Sequence, residues 1–465
     1  MKVKARYAAA CVMLFGAAVH EAHAQSSVTL YGSVDAGVLY STNQQVTDAN
    51  GTVHGGHAVQ LGGGYLMPSR WGLMGTEDLG GGLKATFALE NQFLTGNGAM
   101  LQNGALFSRQ AWVGLRDDRY GTLSLGRQYD SYSDFLGVYA SSNAWSTLYG
   151  SHFGDVDNLN EAFNMNNAVK FTSVDFSGFT FGGTFSLGGQ AGDFSARRGY
   201  ALAAAYTHGP VSVSAGYLDL NNPLDAALGG ASGYIGDFAC SNAAAMYCNL
   251  QNARAMKAAG IGGSITLGDA MVALVYTHTK LENSAYFASS ARPDGADVTF
   301  DIAELNTTYN LTPTWTLGAA YIFNRAHVEG GGSTRFHQVN LGATYALSKR
   351  TALYGVAIGQ VASGQGLGIN CNGRHGKLRP DSESREQQFE SPARVNGGTE
   401  GDVLRRRILR GKQQREQSTF VSVERLPICD NGTRSVCLRS FATRIVRVIA
   451  GPHVFETDGT RNAHG

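Results

Sequence analysis

The chain has 465 residues and a net charge of +1, and charged residues make up only 16% of it, well below the usual quarter. Glycine occurs 61 times and tyrosine and phenylalanine occur 20 and 22 times, whereas proline occurs only 9 times. This composition excludes a coiled coil or a disordered chain and favours many extended strands joined by tight turns. We expect no nucleic-acid partner.

The first 24 residues have the pattern of a secretory signal peptide. Positive residues at positions 2, 4 and 6 precede the short apolar stretch YAAACVMLFGAAV, and Ala22-His23-Ala24 forms an A-x-A cleavage site. The alternative, an N-terminal anchor helix, is disfavoured by that cleavage site. No later segment offers about 18 consecutive apolar residues, so the sequence predicts export and no transmembrane helix.

From Ser27 to Gln360, runs of about ten residues alternate between apolar and polar, which is typical of half-buried β-strands. We count about fifteen such runs. Tight turns are predicted at Gly209-Pro210, Gly268-Asp269, Thr312-Pro313 and Ser348-Lys349, and longer insertions at Asn43–Gly64, Ser131–Asn166 and Asp219–Lys257. One end of the molecule should therefore carry tight turns and the other long loops.

An antiparallel sheet of that many strands must split or close. The runs are longer than the five or six residues usual for a soluble sandwich or propeller, and ten residues suffice to cross a bilayer at a tilt of about 45°. A closed barrel also satisfies every backbone group within hydrocarbon. The sequence therefore favours a transmembrane barrel over a soluble, secreted all-β protein.

Six stretches resemble those of a known protein family, both in their amino-acid sequence and in their order along the chain. They are SVTLYGSVDAG, SRWGLMGTEDLGGGLKATFALE, LFSRQAWVGL, YGTLSLGRQYD, NNAVKFTSVDFSGFTFGG and ATYALSKRTALYG. Over roughly residues 1–370 the chain resembles the trimeric general porins of Gram-negative outer membranes.

The resemblance implies an all-β fold, a transmembrane antiparallel barrel of sixteen strands. It also implies a homotrimer in the outer membrane, reached through the periplasm, that passes small hydrophilic solutes and ions. Expected partners are outer-membrane lipid, lipopolysaccharide and the outer-membrane assembly machinery. In this family the third long loop folds into the lumen, where its acidic residues face a ladder of basic residues.

Arg70 lies in RWGLMGTEDL, where alternation puts it on the face opposite Trp71 and Leu73. A lipid-facing arginine near the midplane costs roughly 2–4 kcal/mol, so Arg70 should face the wet lumen and Trp71 and Leu73 the lipid. The resemblance extends the basic ladder to Arg109 in SRQAW and, with weaker support, to Arg127 and Lys170. Arg127 shares its face with apolar residues, so only a bulge or a strand end would turn it inward.

The constriction loop is expected at Ser131–Asn166. Asp134, in its opening SDFLG, matches the family pattern, but the stretch VYASSNAWSTLYG carries no acid. The remaining acids come later, at Asp155, Asp157 and Glu161. Basic walls with few opposing carboxylates favour anions, which argues against cation selectivity.

No motif supports catalysis, a cofactor or a metal site. His152 lies near Asp155, but no serine in a nucleophile elbow accompanies it, and DVDN lacks the glycine and distal glutamate of a calcium loop. We therefore expect no enzyme. Cys240 and Cys248 are close enough in sequence to staple one loop in an oxidising compartment.

The pattern breaks near residue 370. Residues 371–465 hold 17 Lys and Arg against 11 Asp and Glu, the rest of the chain holds 20 against 25, and none of the 20 tyrosines lies in this tail. We therefore divide the chain into a signal peptide (1–24), a porin barrel (25–370) and an atypical basic tail (371–465). A reading-frame shift near codon 370 is favoured over a genuine additional module, so the tail is expected to be out of frame or disordered.

The tail offers a poor closing strand. Its best candidate, Phe441 to Ala450, places Arg444 on one face and Arg447 on the other, so one charge would meet lipid. The final residues RNAHG also lack the terminal aromatic that the resemblance implies. We therefore expect this chain to assemble poorly. The function predicted is passive diffusion through a water-filled channel; the alternative is a non-channel outer-membrane barrel, either an adhesin or a structural protein.

Overall fold

The computed structural model describes residues 27–47, 53–101, 105–161, 163–223, 232–234, 252–289, 291–364, 366–367 and 444–449. The predicted signal peptide, the Cys240 and Cys248 pair and most of the tail lie outside these residues. The strands are β1 (Ser27–Ser33), β2 (Gly37–Thr47), β3 (Val53–Gly62), β4 (Arg70–Gly80), β5 (Leu83–Gln92), β6 (Gln110–Asp117), β7 (Gly121–Gln128), β8 (Phe163–Ser173), β9 (Phe179–Ser186), β10 (Gly199–His208), β11 (Val211–Asn221), β12 (Ser232–Tyr234), β13 (Ala255–Leu267), β14 (Ala270–Ser284), β15 (Ala296–Asn310), β16 (Trp315–Val328), β17 (Ser333–Ser348), β18 (Thr351–Gly364) and β19 (Arg444–Ile449).

All of these strands form one antiparallel sheet whose two ends meet. From β4 to β18 each long strand pairs with the next, while β18 pairs with β19, β19 with β2, and β1 with β4. Since β1 and β2 are consecutive parts of one strand, as are β3 and β4, and β12 has only three residues, the described chain forms sixteen strands. The predicted antiparallel β-barrel is confirmed.

The closing segment β19 differs from the expectation. The sequence argued against any strand after Asn370, yet the structure pairs Arg444–Ile449 with β18 at six positions and with β2 at three. This segment lies within Phe441 to Ala450, the best candidate in the tail. It occupies the position between β18 and β2 because these two strands would otherwise leave unpaired backbone groups at an edge.

The outer face of the barrel is apolar, as alternation predicts for strands in lipid. On β1, Val28 and Leu30 are exposed, and Leu30 lies opposite Leu73 of β4. Trp71, on the same face, is 38% exposed, whereas Arg70 lies opposite Ser33 on the inner face. The predicted orientation of Arg70 and Trp71 therefore agrees with the register.

The turns divide as predicted, with one exception. The four predicted tight turns join β10 to β11, β13 to β14, β15 to β16 and β17 to β18. The insertion predicted at Asn43–Gly64 is wrong, because β2 continues to Thr47 and β3 begins at Val53, so most of this segment is a hairpin. Its polar and glycine residues, which masked the alternation, lie in the extended ends of these two strands.

The helices of the described chain are short and lie mainly between β7 and β8. They include α1 (Ser131–Leu136), followed by one 3₁₀ turn, and α2 (Ser141–Ala144), followed by two. None is long and apolar enough to cross a membrane. These helices belong to the segment in which the sequence placed the constriction loop.

Candidate functional site: the lumen and its folded loop

The segment from Ser131 to Glu161, called the inner loop below, is closed at its neck by hydrogen bonds. Asp130 caps α1, its Oδ1 accepting from the Ser133 backbone N–H at 2.8 Å. Its Oδ2 accepts from Asn158 Nδ2 at 2.8 Å, and Ser133 Oγ donates to the Asn158 carbonyl at 2.8 Å. Because the start of the loop is bonded to its end, the loop is a compact unit.

Glycines on the inner face of the barrel make room for the aromatic side chains of the inner loop. A Cβ at Gly318 or Gly342 would lie 2.3 and 2.6 Å from the Trp145 ring, and one at Gly262 would lie 2.6 Å from the Tyr139 ring. These glycines belong to β16, β17 and β13. The inner loop therefore packs directly on the backbone of this wall.

Apolar side chains fill the space between the inner loop and the wall. Phe153 stacks on Phe336 with ring centroids 4.3 Å apart and lies 6.3 Å from Phe300. Tyr132 and Leu136 of α1 are fully buried in the same cluster. The largest hydrophobic core of the described chain thus lies inside the barrel, where it holds the loop against one side.

Polar side chains of the same wall satisfy the backbone of the inner loop. Asn306 Nδ2 donates to the Tyr139 carbonyl at 2.8 Å. Gln338 Nε2 and Asn340 Nδ2 donate to the Gly150 carbonyl at 2.9 and 2.8 Å. A buried carbonyl without a partner costs about 1–3 kcal/mol, so these contacts favour one docked position of the loop.

A buried histidine joins the inner loop to β15. His152 Nδ1 lies 2.6 Å from Asp157 Oδ2, and its Nε2 lies 2.9 Å from Glu304 Oε2. Thr277 Oγ1 also donates to Asp157 at 2.7 Å, and Glu304 Oε1 accepts from the Ser141 backbone N–H at 2.7 Å. Burial lowers the pKa of His152, but the two carboxylates outweigh it and raise that pKa well above 6.5.

On the opposite side, Glu90 of β5 joins two of the predicted pore arginines. Arg109 Nε donates to Glu90 Oε1 at 2.5 Å, and Arg70 Nε lies 3.8 Å from Glu90 Oε2. Tyr31 donates its hydroxyl to the same carboxylate at 2.8 Å. Arg70 keeps 28% of its side chain exposed, so it retains access to water in the lumen.

Arg109 also reaches the inner loop. Its Nη2 lies 3.4 Å from Glu161 Oε2, its Nη1 donates to Gln92 at 3.0 Å, and its guanidinium lies 5.2 Å from the Tyr129 ring centroid. Burial raises the pKa of Glu161 to about 7, although Arg109 opposes that shift. The charge of this cluster therefore changes near neutral pH.

Lys170 and Arg127 lie on neighbouring strands with different partners. Lys170 of β8 forms an ion pair with Asp134 of α1 and donates to the Tyr129 carbonyl at 3.0 Å. Arg127 donates to the Ser108 carbonyl at 2.7 Å and to Asn166. The pairing of β7 with β8 shifts register between Gly126 and Gln128, which is the irregularity that an inward Arg127 requires.

The four predicted loop acids separate into two groups. Asp134 and Glu161 contact the predicted basic residues Lys170 and Arg109. Asp157 contacts His152 instead, and Asp155 accepts a hydrogen bond from the Asn160 backbone N–H at 2.9 Å. The structure thus brings two of the acids to the basic wall and places the other two within the loop.

Sequence reasoning missed Glu90 and Glu304, and it missed that His152 joins the inner loop to the barrel wall. Glu90 could have been suspected because it lies on the polar face of ALENQF. Glu304 gave no signal, since it meets His152 across 152 positions of sequence. Within the described ranges, no group of three His, Cys, Asp or Glu side chains has the geometry to hold a metal ion.

Comparison with known proteins gives consistent matches. The family model for Gram-negative porins matches residues 8–359. An outer membrane porin protein of Bordetella pertussis is 30% identical over 364 residues, covering 72% of this chain and 88% of that protein. Outer membrane porin protein 32 of Delftia acidovorans is 29% identical over 353 residues, covering 73% and 85%. A solved anion-selective porin from Comamonas acidovorans has a TM-score of 0.54 at 26% identity, covering 73% and 90%.

Proposed function

Because this chain belongs to the Gram-negative porin family, we propose that its inner loop forms the constriction of the channel. The protein is an outer-membrane porin, a β-barrel for the passive diffusion of small hydrophilic solutes. Transport is driven only by the solute gradient and needs no catalytic step. What the constriction adds is a size limit and an electrostatic bias.

The observation that carries the proposal is the contact between Arg109 and Glu161, because it joins the barrel wall to the inner loop. Glu90 holds Arg70 and Arg109 together, and the inner loop is fixed to the opposite wall by Trp145 and His152. A solute that passes between loop and wall must pass this cluster. We infer that these side chains line the narrowest part of the channel.

The cluster carries a positive balance when its buried acids are protonated. Arg70, Arg109 and Arg127 contribute three positive charges, and Glu90, Glu161 and the nearby Asp130 contribute three negative charges when all are ionised, but burial raises the pKa of Glu161 to about 7 and also raises the pKa of Asp130. Lys170 and Asp134 cancel one another. We therefore propose a preference for anions, supported by the similarity to a solved porin that is named as anion-selective.

Assembly and partners follow from membership of the family. We propose a homotrimer, with lipopolysaccharide and outer-membrane lipid around the barrel and the outer-membrane assembly machinery as the route of insertion. The exposed apolar side chains of the outer face support contact with lipid or with a second copy, since water would not favour them. Small hydrophilic solutes and ions are the proposed cargo.

Reversal potentials in a salt gradient test the constriction. Arg70→Glu and Arg109→Glu each reverse a charge in the cluster and should move the potential toward cation preference. Arg116→Glu makes the same change near the exposed tight-turn end of β6 and should have little effect, because solvent screens it. Arg109→Gln provides a milder variant if the buried Glu substitution prevents folding.

Two results would contradict the proposal. Unchanged potentials in both Glu variants would show that these arginines are not at the constriction. Folded wild-type protein without conductance steps would instead indicate a barrel that is not a channel.

A further inference from the structure

A row of charged side chains crosses the outer face of four strands, β14 to β17. The register places His278 opposite Asp301, Asp301 opposite Arg325, and Arg325 opposite Arg335. Along the same face of these strands, Tyr276 lies two positions from His278, and Tyr321 and Val339 lie four positions from Arg325 and Arg335, and all three side chains are exposed. The row therefore lies on the surface that faces the membrane.

Arg325 and Arg335, called the arginine pair below, are like charges directly opposite one another. Both are exposed, and within the described ranges neither forms an ion pair shorter than 4 Å. The nearest acid of the row, Asp301, accepts from Tyr276 at 2.9 Å and lies 2.8 Å from His278. Asp301 also faces Arg325 across β15 and β16 and interacts with it electrostatically, so a single carboxylate stands against two guanidinium groups. Opposed like charges destabilise a sheet, and an anion from outside the chain would relieve the repulsion that Asp301 leaves.

The height of the pair on the barrel identifies its environment. Trp315 marks the tight-turn end of β16, and Arg325 lies ten positions further along the strand. At about 3.4 Å per residue and a tilt of about 40°, this separation is about 26 Å, close to the 25 Å height of the apolar band. The pair therefore lies at the edge of that band, at the level of lipid headgroups.

The pair lies in the leaflet on the long-loop side. β16 and β7 both run away from tight turns, so Arg325 is near the same end of the barrel as the inner loop. In outer-membrane barrels that end is extracellular. The aromatic side chain of Tyr321, hydrogen-bonded to His337 at 2.6 Å, lies four positions from Arg325 on the tight-turn side of the pair, within the apolar band.

We propose that the arginine pair binds the phosphate of a phosphorylated lipid in the outer leaflet, such as the lipid A part of lipopolysaccharide. Guanidinium groups bind phosphate oxygens through paired, charge-assisted hydrogen bonds, which suits two arginines facing each other. The phosphate removes the repulsion within the pair, and the acyl chains of the lipid cover the apolar surface below. This inference rests on the proposed function, because it takes lipopolysaccharide to surround the barrel.

Titration of the folded full-length protein with diphosphoryl lipid A tests the inference, with bound lipid counted by native mass spectrometry. Arg325→Gln combined with Arg335→Gln should weaken the apparent affinity about thirtyfold, since each basic residue at an anionic surface contributes about fivefold. The double variant Lys349→Gln and Arg350→Gln removes the same charge from the opposite end of β17 and should keep wild-type affinity. Lipid A from which the phosphates have been removed should bind both variants and wild type equally.

Several outcomes would overturn the inference. Equal affinity in the arginine variant, or an equal loss in the Lys349 and Arg350 control, would show that the pair is not a phosphate site. Loss of oligomer on gels with unchanged lipid binding would identify a second copy of the chain as the occupant. Arg325→Lys with Arg335→Lys should give an affinity between those of wild type and the Gln variant, because the charge stays but the paired hydrogen bonds of guanidinium are lost, and a lysine variant as weak as the Gln variant with unchanged oligomer would show that charge at these positions does not bind phosphate. Conductance of the same samples tests the channel independently, so failure of one proposal is distinguishable from failure of the other.

Discussion

The wall formed by β13 to β18 and the wall formed by β5 to β8 use their inner faces differently. The first has strands of 13 to 16 residues, and its inner face presents glycine, apolar and amide side chains to the inner loop. The second has strands of 8 to 11 residues, and charged residues on its inner face contact the far side of the loop. One wall holds the loop and the other gives the passage its charge.

This difference shows how a barrel with a wet lumen can hold a loop in a fixed position. Packing Trp145 and Phe153 on one wall buries apolar surface, which water favours, without placing charge there. On the charged wall Arg70 keeps 28% of its side chain exposed, whereas Arg109 and Glu90 are buried against each other. On the packed wall His152 is buried because Asp157 and Glu304 contact both of its ring nitrogens.

The largest expected effect concerns the closure of the barrel beside β18, the last strand of the β13 to β18 wall. Here β18 is covered over six residues by a segment of the tail, whereas the neighbouring strands pair over 12 or more. Replacing all residues after Asn370 with a ten-residue alternating strand that ends in Phe should greatly increase detergent-resistant trimer in outer-membrane fractions. The cause is that unpaired backbone groups in hydrocarbon cost several kcal/mol each.

Two controls accompany this comparison of trimer yields. A chain that simply ends at Asn370 should give no trimer, and Arg444→Val with Arg447→Val should give an intermediate amount, because the tail strand then carries no charge to place in lipid. Equal amounts of trimer from the original chain and the replacement would show that the tail closes the barrel adequately.

The next effect is a difference in stability between substitution of the buried His152 and substitution of the exposed His278. His152→Gln leaves Asp157 and Glu304 buried without a cation and should destabilise the folded protein by about 3–5 kcal/mol. His278→Gln, on the outer face of the same wall, should cost under about 1 kcal/mol. Denaturation midpoints from heat-modified mobility measure both changes, and current noise from the His152 variant reports a displaced loop.

The His152 contact also has a defined pH dependence. Since the folded state raises the pKa of His152 above 6.5, its stabilisation is complete below about 6.5 and is lost as the pH rises through the higher folded value. The His152 variant should lack this loss at alkaline pH. Identical alkaline behaviour in wild type and variant would contradict the assignment.

A smaller effect tests the packing of the Trp145 ring on Gly318 of β16. Gly318→Ala places a methyl group against the indole ring and should cost about 1–3 kcal/mol. Trp145→Ala removes that clash and should raise conductance, because the space filled by the ring becomes open to water. In the double variant the cost of Gly318→Ala should disappear, whereas additive costs would show that the two residues do not touch.

The smallest effect is a change of one charge on the opposite wall. Because the folded-state pKa of Glu161 is about 7, lowering the pH from 8 to 6 protonates it and leaves Arg109 less compensated. Anion preference should therefore increase toward low pH. Glu161→Gln should show the stronger preference at both pH values, and a persisting pH dependence in that variant would identify another titrating group.

The stability contribution of Glu161 has the corresponding sign. An acid whose pKa is raised on folding favours the folded state below its ordinary value of 4.5, and this contribution is lost as the pH rises toward 7. Glu161 thus opposes folding at alkaline pH, as His152 ceases to support it.

The number and length of the alternating runs favoured a barrel, the resemblance supplied its sixteen strands, and turn residues located the tight turns. Alternation gave the inward direction of Arg70, because a period of two reports which face meets lipid. It also located the inner loop, since a long polar and aromatic insertion cannot continue a strand. The Asn43–Gly64 error arose because glycine-rich strand ends carry no apolar periodicity.

Tertiary structure alone decided which loop acids face the basic wall and which side of the barrel holds the loop. Asp155, Asp157 and Glu161 are nearly adjacent in sequence, yet Glu161 pairs with Arg109 while Asp157 contacts His152 and Asp155 accepts from the Asn160 backbone N–H. Their separation depends on Glu304 and on the glycines of β16 and β17, which lie far away along the chain. Sequence periodicity reports the face on which a side chain lies, whereas its partner depends on how distant strands are brought together when the barrel closes.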